Sequence, residues 1–153
     1  LDTRAIIRQA HVSDLNALAS LFDDYRQFYG CPSDLAAAHD FLLARFDHGE
    51  SVLFIATVDG APAGFAQLYP GFSSVSLART FVLNDLFVST EYRRRGLASG
   101  LLTAATRYAE SLGALRLTLS TAIDNATAQA LYASQGWKRD EQFYVYHRAI
   151  ARG

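Results

Sequence analysis

Residues 86–98, LFVSTEYRRRGLA, run from an apolar strand through an arginine-rich turn into the start of a helix. A strand that delivers the chain directly to a helix N-terminus belongs to mixed α/β architectures. Successive backbone N–H groups at such a turn, together with the helix dipole, make an anion site. Gly96 lets the backbone approach an oxyanion where a Cβ would obstruct it. Leu97 opens the helix, small Ala98 keeps it near its neighbours, and Arg93, Arg94 and Arg95 add cationic donors. The chemistry points to a pyrophosphate, with a solvated basic turn as the plainer alternative. Two other phosphate loops are excluded by pattern, since neither G-x-G-x-x-G after the first strand nor G-x-x-x-x-G-K-[ST] occurs.

The flanking chain supplies the remaining elements. Residues 3–10 read as a first strand around Ile6 and Ile7. Ser13 is a candidate N-cap for a helix with Leu15, Leu18, Leu21, Phe22, Tyr25, Phe28 and Tyr29 on one stripe. Gly30-Cys31-Pro32 breaks it, and Ser33 is the candidate cap of a second helix burying Leu35, Phe41, Leu42 and Phe46. Residues 51–58 and 64–69 read as strands joined by Asp59-Gly60, a strong hairpin signal. A turn at residues 70–74 leads to a strand at residues 81–88, and residues 96–112 are helical. Leu115, Leu117 and Leu119 alternate as a strand. Asn125 or Thr127 begins a last helix that ends at Gly136, and residues 143–147 read as a closing strand. The predicted order is β-α-α-β-β-β-α-β-α-β, one mixed α/β domain over residues 1–153.

Composition narrows the function classes. The 14 Lys and Arg against 15 Asp and Glu give a net charge of −1, which argues against a broad nucleic-acid surface. The single cysteine, Cys31, precludes an intrachain disulfide. His11, His39, His48 and His147 never reach metal-ligand spacing with it, so no metal is expected. No apolar run approaches the roughly 20 residues that span a bilayer, so no membrane partner is expected. Residues 1–4 lack a signal-peptide pattern. A cytoplasmic, reducing compartment is the expectation, with a removed targeting segment left open.

At Arg93, Gly96 and Ala98 the chain resembles the GNAT superfamily of N-acetyltransferases, whose acetyl-CoA signature is [Q/R]-x-x-G-x-[G/A]. The resemblance continues at residues 124–137, DNATAQALYASQGW, where the family has an Asn, a helix with a Tyr, then Gly and an aromatic. It implies a mostly antiparallel mixed sheet splayed between the fourth and fifth strands, with acetyl-CoA as co-substrate in the gap. Phe87 and Val88 would then offer backbone groups to pantetheine, and Arg94 to Ser99 would cradle the pyrophosphate. A bulge near Leu86 would expose that residue's N–H to the thioester carbonyl. Tyr132 would be the general acid for the departing thiolate, or otherwise a core aromatic. Asn125 would contact the cofactor, act as a helix cap, or both.

The proton acceptor is less defined. Asp85 stands where several family members place a carboxylate near the amine, and alternation puts Asn84 and Asp85 on opposite faces. Which of the two faces the cleft is left open, as is a surface role for Asp85. Residues 25–34 and 67–74, with residues 83–88, resemble the fungal histone and polyamine acetyltransferase subgroup. Tyr25, Tyr29 and Tyr69 would line an amine pocket with their ring faces, or simply cover a small core. The implied function is direct acetyl transfer to a small primary amine in a ternary complex. A protein lysine or N-terminal acetyltransferase and a non-catalytic CoA-binding module are the alternatives. The alternating Phe143, Tyr144 and Tyr146 suggest a homodimer contact, a core strand being the simpler reading.

Overall fold

The computed structural model describes residues 2–152. The chain forms two compact units, Leu1–Ser120 and Thr121–Gly153. The first is built on a five-stranded sheet in the order β1 (Ala5–Gln9), β2 (Val52–Val58), β3 (Ala61–Ser73), β4 (Ala78–Val88) and β5 (Leu117–Thr118). The first four strands run antiparallel to their neighbours, and β5 lies parallel to β4. At the β2–β3 connection both Asp59 (φ 51°) and Gly60 (φ 81°) are left-handed, the turn an Asp-Gly pair favours.

Alternation along β2 sends its side chains to two different layers. Leu53 and Ile55 join Phe65, Phe87 and the helices α1 (Leu15–Phe28) and α2 (Leu35–His48), where Leu18, Phe22, Ala38 and Leu42 are buried. Phe54 faces the other way and meets Tyr108 of α3 (Leu97–Ser111) edge-on, with ring centroids 5.7 Å apart. Leu97, Leu101, Leu102 and Ala105 complete that second layer. Small Ala38 at the α1–α2 contact sets the buried stripe of α2. Phe41 is displaced to the flank, stacked on Phe22, and Leu35 in the first turn stays half-exposed.

Neither serine expected at a helix start caps its helix. Asp14, at the N-cap of α1, accepts the His11 N–H at 2.9 Å and pairs with Arg8 at 2.7 Å. Asp34 caps α2 through the Ala37 N–H, while Ser33 Oγ donates to buried Asp23 at 2.7 Å. Asp23 also accepts the Asp34 N–H at 2.8 Å, so one carboxylate on α1 ties down the whole connecting loop. At the start of α2 a carboxylate outcompetes a hydroxyl because its bond to an N–H group is charge-assisted.

The expected turn at residues 70–74 is strand instead: β3 continues to Ser73, and the chain reverses through Leu77 (φ 52°). Pro70 is tolerated because β2 ends at the Val52–Leu68 pair, leaving its nitrogen on an uncovered edge. The strand expected around Leu115 to Leu119 contracts to two residues, which pair only with Phe81 and Val82.

The second unit holds α4 (Ala126–Ser134), with Asn125 Oδ1 accepting the Ala128 N–H at 3.1 Å. Gly136 (φ 87°) ends that turn, and Trp137 N–H donates to the Tyr132 carbonyl. Residues 143–147 form no strand, contrary to their alternating pattern. Alternation supplies a pattern of faces but no hydrogen-bonding partner, and among the described residues this unit contains no strand to pair with. Asp140 instead gathers the Gln142 and Phe143 N–H groups at 2.8 and 3.3 Å.

Gly64 sets how closely β3 and β4 approach. A Cβ there would stand 2.6 Å from the Phe87 carbonyl oxygen, a backbone atom with no rotamer to give. Gly64→Ala is expected to cost about 1–3 kcal/mol and lower Tm by roughly 2–10 °C. An unchanged thermal melt would contradict this packing.

Candidate active site

The site is organised by a bulge in β4. Gln67 pairs with Asp85 but Leu68 pairs with Leu83, so Asn84 is an extra residue with no partner on β3. Its effect can be followed through the backbone. Phe81 N–H donates outward to the Arg116 carbonyl at 3.1 Å, whereas Ser89 N–H donates inward to the Ala63 carbonyl at 2.8 Å. Odd-numbered residues therefore face away from β3 before the bulge and toward it afterwards. Beyond Asn84 it is Leu86 and Val88 whose backbone groups point to the open edge, with those of Phe87 turned to β3. No described strand pairs with residues 83–88 on that side. The bulge thus lies near Leu86, as expected, with Asn84 as the extra residue, and it aims the Leu86 N–H outward.

The same inversion turns Asp85 inward beside Phe65 and Phe87, leaving Asn84 exposed. Asp85 is 5% exposed and its carboxylate is held by three donors. Gln67 Nε2 donates to Oδ2 at 2.8 Å, Asn84 Nδ2 donates to Oδ1 at 3.1 Å, and the Tyr25 hydroxyl completes the set. Burial raises the Asp85 carboxyl above the ordinary carboxylate range, and the three donors oppose it. Burial, then the Asp85 charge, also raises Tyr25 and pushes Tyr69 up to about 12. The structure therefore brings Tyr25, Tyr69 and Asp85 together, with the Tyr29 ring on Tyr25 at 5.1 Å. A cleft of about 390 Å³ opens beside Phe87, lined also by Asp24, Phe28, Ser89 and Glu91.

The arginine-rich loop leaves β4 through a short turn at Thr90–Tyr92 and enters α3 at Leu97. Its three arginines separate by partner. Arg93 Nε donates to the Val88 carbonyl at 2.9 Å and its guanidinium lies 5.2 Å from the Phe28 ring centroid. Arg95 reaches Asp2 at 3.4 Å and covers Tyr92. Arg94 alone of the three has neither an ion pair nor a side-chain hydrogen bond among the described residues. Its φ is 64° and that of Gly96 is 80°, so the backbone turns twice through the left-handed region before the helix. Leu97 and Ala98 occupy the first turn, where N–H groups have no intrahelical acceptor. Outward N–H groups, a glycine turn and a free guanidinium suit a phosphorylated ligand whose arm lies along β4. Such chemistry fits coenzyme A.

Tyr132 and Asn125 lie in the second unit. Tyr132 faces the Trp137 ring at 6.1 Å, and Asn125 performs the capping role that its position suggested. Two residues of the first unit carry more than their sequence context indicated. Gln67 is a lone amide on the same side of β3 as Phe65, a signal present in the alternation. Phe28 serves as the platform for Arg93, which no local pattern announces.

An open strand edge beside a glycine-turned anion loop suits an acyltransferase scaffold. A family model, Acetyltransferase (GNAT) family, matches residues 16–137. Over 140 residues the chain is 49% identical to the uncharacterized N-acetyltransferase YhfO of Bacillus subtilis (strain 168), covering 92% of this chain and 94% of that protein. It is 26% identical over 122 residues to the aminoglycoside N(6′)-acetyltransferase type 1 of Salmonella typhimurium, covering 78% and 83%. The crystal structure of a probable acetyltransferase superposes with a TM-score of 0.92 at 41% identity, covering 97% and 99%. The chain belongs to the GNAT acetyltransferase family, and it is an acetyltransferase.

Replacing Gly96 by Ala places a Cβ at a left-handed position, at about 1–2 kcal/mol. Isothermal calorimetry is expected to show acetyl-CoA affinity reduced roughly tenfold, with helical circular dichroism unchanged. Unaltered affinity would separate this turn from cofactor binding.

Proposed function

We propose that this chain, acting as a single domain across residues 1–153, transfers acetyl groups from acetyl-CoA to a small primary amine by direct attack in a ternary complex. The observation that carries the reading is the buried Asp85 beneath Tyr25 and Tyr69, on the strand that also presents its open edge. A proton acceptor beside aromatic ring faces suits an acceptor that arrives as an ammonium ion. The aminoglycoside N-acetyltransferase relative supports amines as the acceptor class.

Acetyl-CoA supplies an activated thioester. Arg93 to Ser99, with the guanidinium of Arg94, hold its pyrophosphate end. Val88 offers its N–H to the pantetheine arm while Phe87 walls the pocket with its ring, and Asn125 adds an amide contact. The Leu86 N–H donates to oxygen as negative charge develops there. Asp85 receives the proton that an alkylammonium must lose, its ordinary pKa being about 10.4. Tyr132 Oη delivers a proton to the departing thiolate. The free thiol of Cys31 suits a cytosolic setting, and the exposed Phe143, Tyr144 and Tyr146 suit a homodimer.

Thiol release from acetyl-CoA, measured against polyamines, amino acids, aminoglycosides and lysine peptides, tests this reading. Tyr132→Phe is expected to lower kcat about 100-fold while acetyl-CoA affinity stays within about twofold. Lost affinity with intact kcat would remove Tyr132 from the chemistry. Tight cofactor binding with no amine acetylated would favour a binding module.

The pH profile carries a separate expectation. Asp85 accepts a proton only when ionised, and burial raises its pKa, so activity should fall as pH drops through that raised value. The acid limb of kcat/KM is expected above the ordinary aspartate pKa of about 3.9, and Asp85→Asn should be nearly inactive throughout. A fully active Asp85→Asn enzyme would exclude it as the base.

A further inference from the structure

Gln67 is the buried polar side chain that the fold explains least. It is fully buried in β3, where an apolar residue would avoid desolvating an amide. Nε2 donates to Asp85 Oδ2 at 2.8 Å, yet Oε1 has no hydrogen-bond partner among the described residues. An amide presents a donor and an acceptor at the end of one torsion. When Asp85 is ionised, the NH₂ group must face it, because the opposite orientation would set oxygen against oxygen. Once a proton sits on Oδ2, a half-turn of the amide brings Oε1 round to accept it. Gln67 therefore suits Asp85 in both charge states, which matters only for a carboxyl group that gains and loses a proton.

Tyr25 links that carboxyl to the surface. Asp85 is buried, whereas Tyr25 is partly exposed and donates its hydroxyl to Asp85. Its ring is held between Tyr29, Phe65 and Phe87, with centroids 5.1, 5.6 and 5.8 Å away. The titratable and charged groups facing this cluster are Tyr25 and Tyr29 from α1, Arg45 from α2 by way of Tyr69, and Tyr69 itself from β3.

We propose that Tyr25, Asp85 and Gln67 form a proton relay in which Tyr25 touches the acceptor amine, Asp85 stores the proton, and Gln67 turns its amide to fit either charge state. The relay rests on the amine-acetylating reading above. An ammonium N–H bond breaks and that proton bonds to Tyr25 Oη. The Tyr25 O–H bond breaks and its proton bonds to the Asp85 carboxylate. The amine keeps its lone pair, Tyr25 stays a neutral phenol and Asp85 becomes a neutral acid. Charge is conserved, because one ammonium and one carboxylate are neutralised together. Tyr25 is the catalytic contact, and Gln67 is a positioning residue.

The test compares kcat/KM against pH for wild type, Tyr25→Phe, Gln67→Met and the isosteric Gln67→Glu. The Asp85 carboxyl is followed in parallel by infrared difference spectroscopy, its band identified by loss in Asp85→Asn. Removing the Gln67 donor is expected to move the acid limb and the infrared titration upward together by about one pH unit. Gln67→Glu should move both further in the same direction, with the KM for acetyl-CoA within about twofold. Tyr25→Phe should lose about 100-fold in kcat while the infrared titration persists. An acid limb and an infrared titration unmoved by both Gln67 variants would overturn the relay. So would Tyr25→Phe with near wild-type kcat while Asp85→Asn is inactive. If Gln67→Met does not fold, Gln67→Glu and Tyr25→Phe decide the matter by the same readouts. A fully active Asp85→Asn would likewise overturn the relay, whereas a wild-type chain that acetylates no amine would instead fail the amine reading on which the relay rests.

Discussion

One unpaired residue in β4 governs the chemistry available to the first unit. Side chains alternate along a strand, and so do the directions of the backbone polar groups. Inserting Asn84 reverses both patterns for the rest of the strand. Upstream, Phe81 packs on the α3 layer and donates its N–H toward β5. Downstream, Asp85 and Phe87 face the α1 layer, while Leu86 and Val88 aim their backbone at the uncovered edge. A regular strand would have turned Asp85 toward α3 and placed the wrong residues at that edge. The short β5 completes the arrangement by pairing only upstream of the bulge.

The two charged regions follow different electrostatic rules. At the loop, Arg93 and Arg95 are committed to shaping the backbone, through Val88 and Asp2, which leaves N–H groups and Arg94 to face an anion. Exposed charges contribute little to stability, so their value there lies in geometry. At Asp85 the balance is opposite. Burial raises the cost of the ionised form, and three neutral donors offset it only in part. The carboxyl is thereby moved toward the proton affinity a base needs, its hydrogen-bond donors being neutral side chains. Asp14 makes the contrast: Arg8 and the His11 N–H hold it at about 2, a value useful to a cap and useless to a base.

Much of this was legible in the amino-acid order. The Asp59-Gly60 turn, the stripe on α1 and the strand–turn–helix passage at Gly96 each depend on local chemistry, and local chemistry is what a sequence carries. The bulge came only through the family resemblance, because a one-residue insertion leaves no pattern of its own. Asn84-Asp85-Leu86 shows that neighbours face apart without showing which way. Pro70 looked like a turn because only the end of β2 makes it harmless inside a strand. Ser33 lost its cap to the adjacent Asp34, while Ser13 falls inside the short turn that precedes α1. The alternating residues 143–147 describe a strand that lacks a partner in its own unit. Gln67 was visible as a single amide in an apolar run, but its meaning needed Asp85 beside it.

Backbone amide hydrogen exchange along β4, with and without acetyl-CoA, is the most direct measurement of the inverted edge. The expected result is slow exchange at Phe87 and Ser89 in both states. Leu86 and Val88 should exchange rapidly in the free protein and become protected when the cofactor binds. Protection of Leu86 and Val88 already in the free protein, with Phe87 responding to the ligand instead, would contradict the bulge at Asn84 and the site built on it.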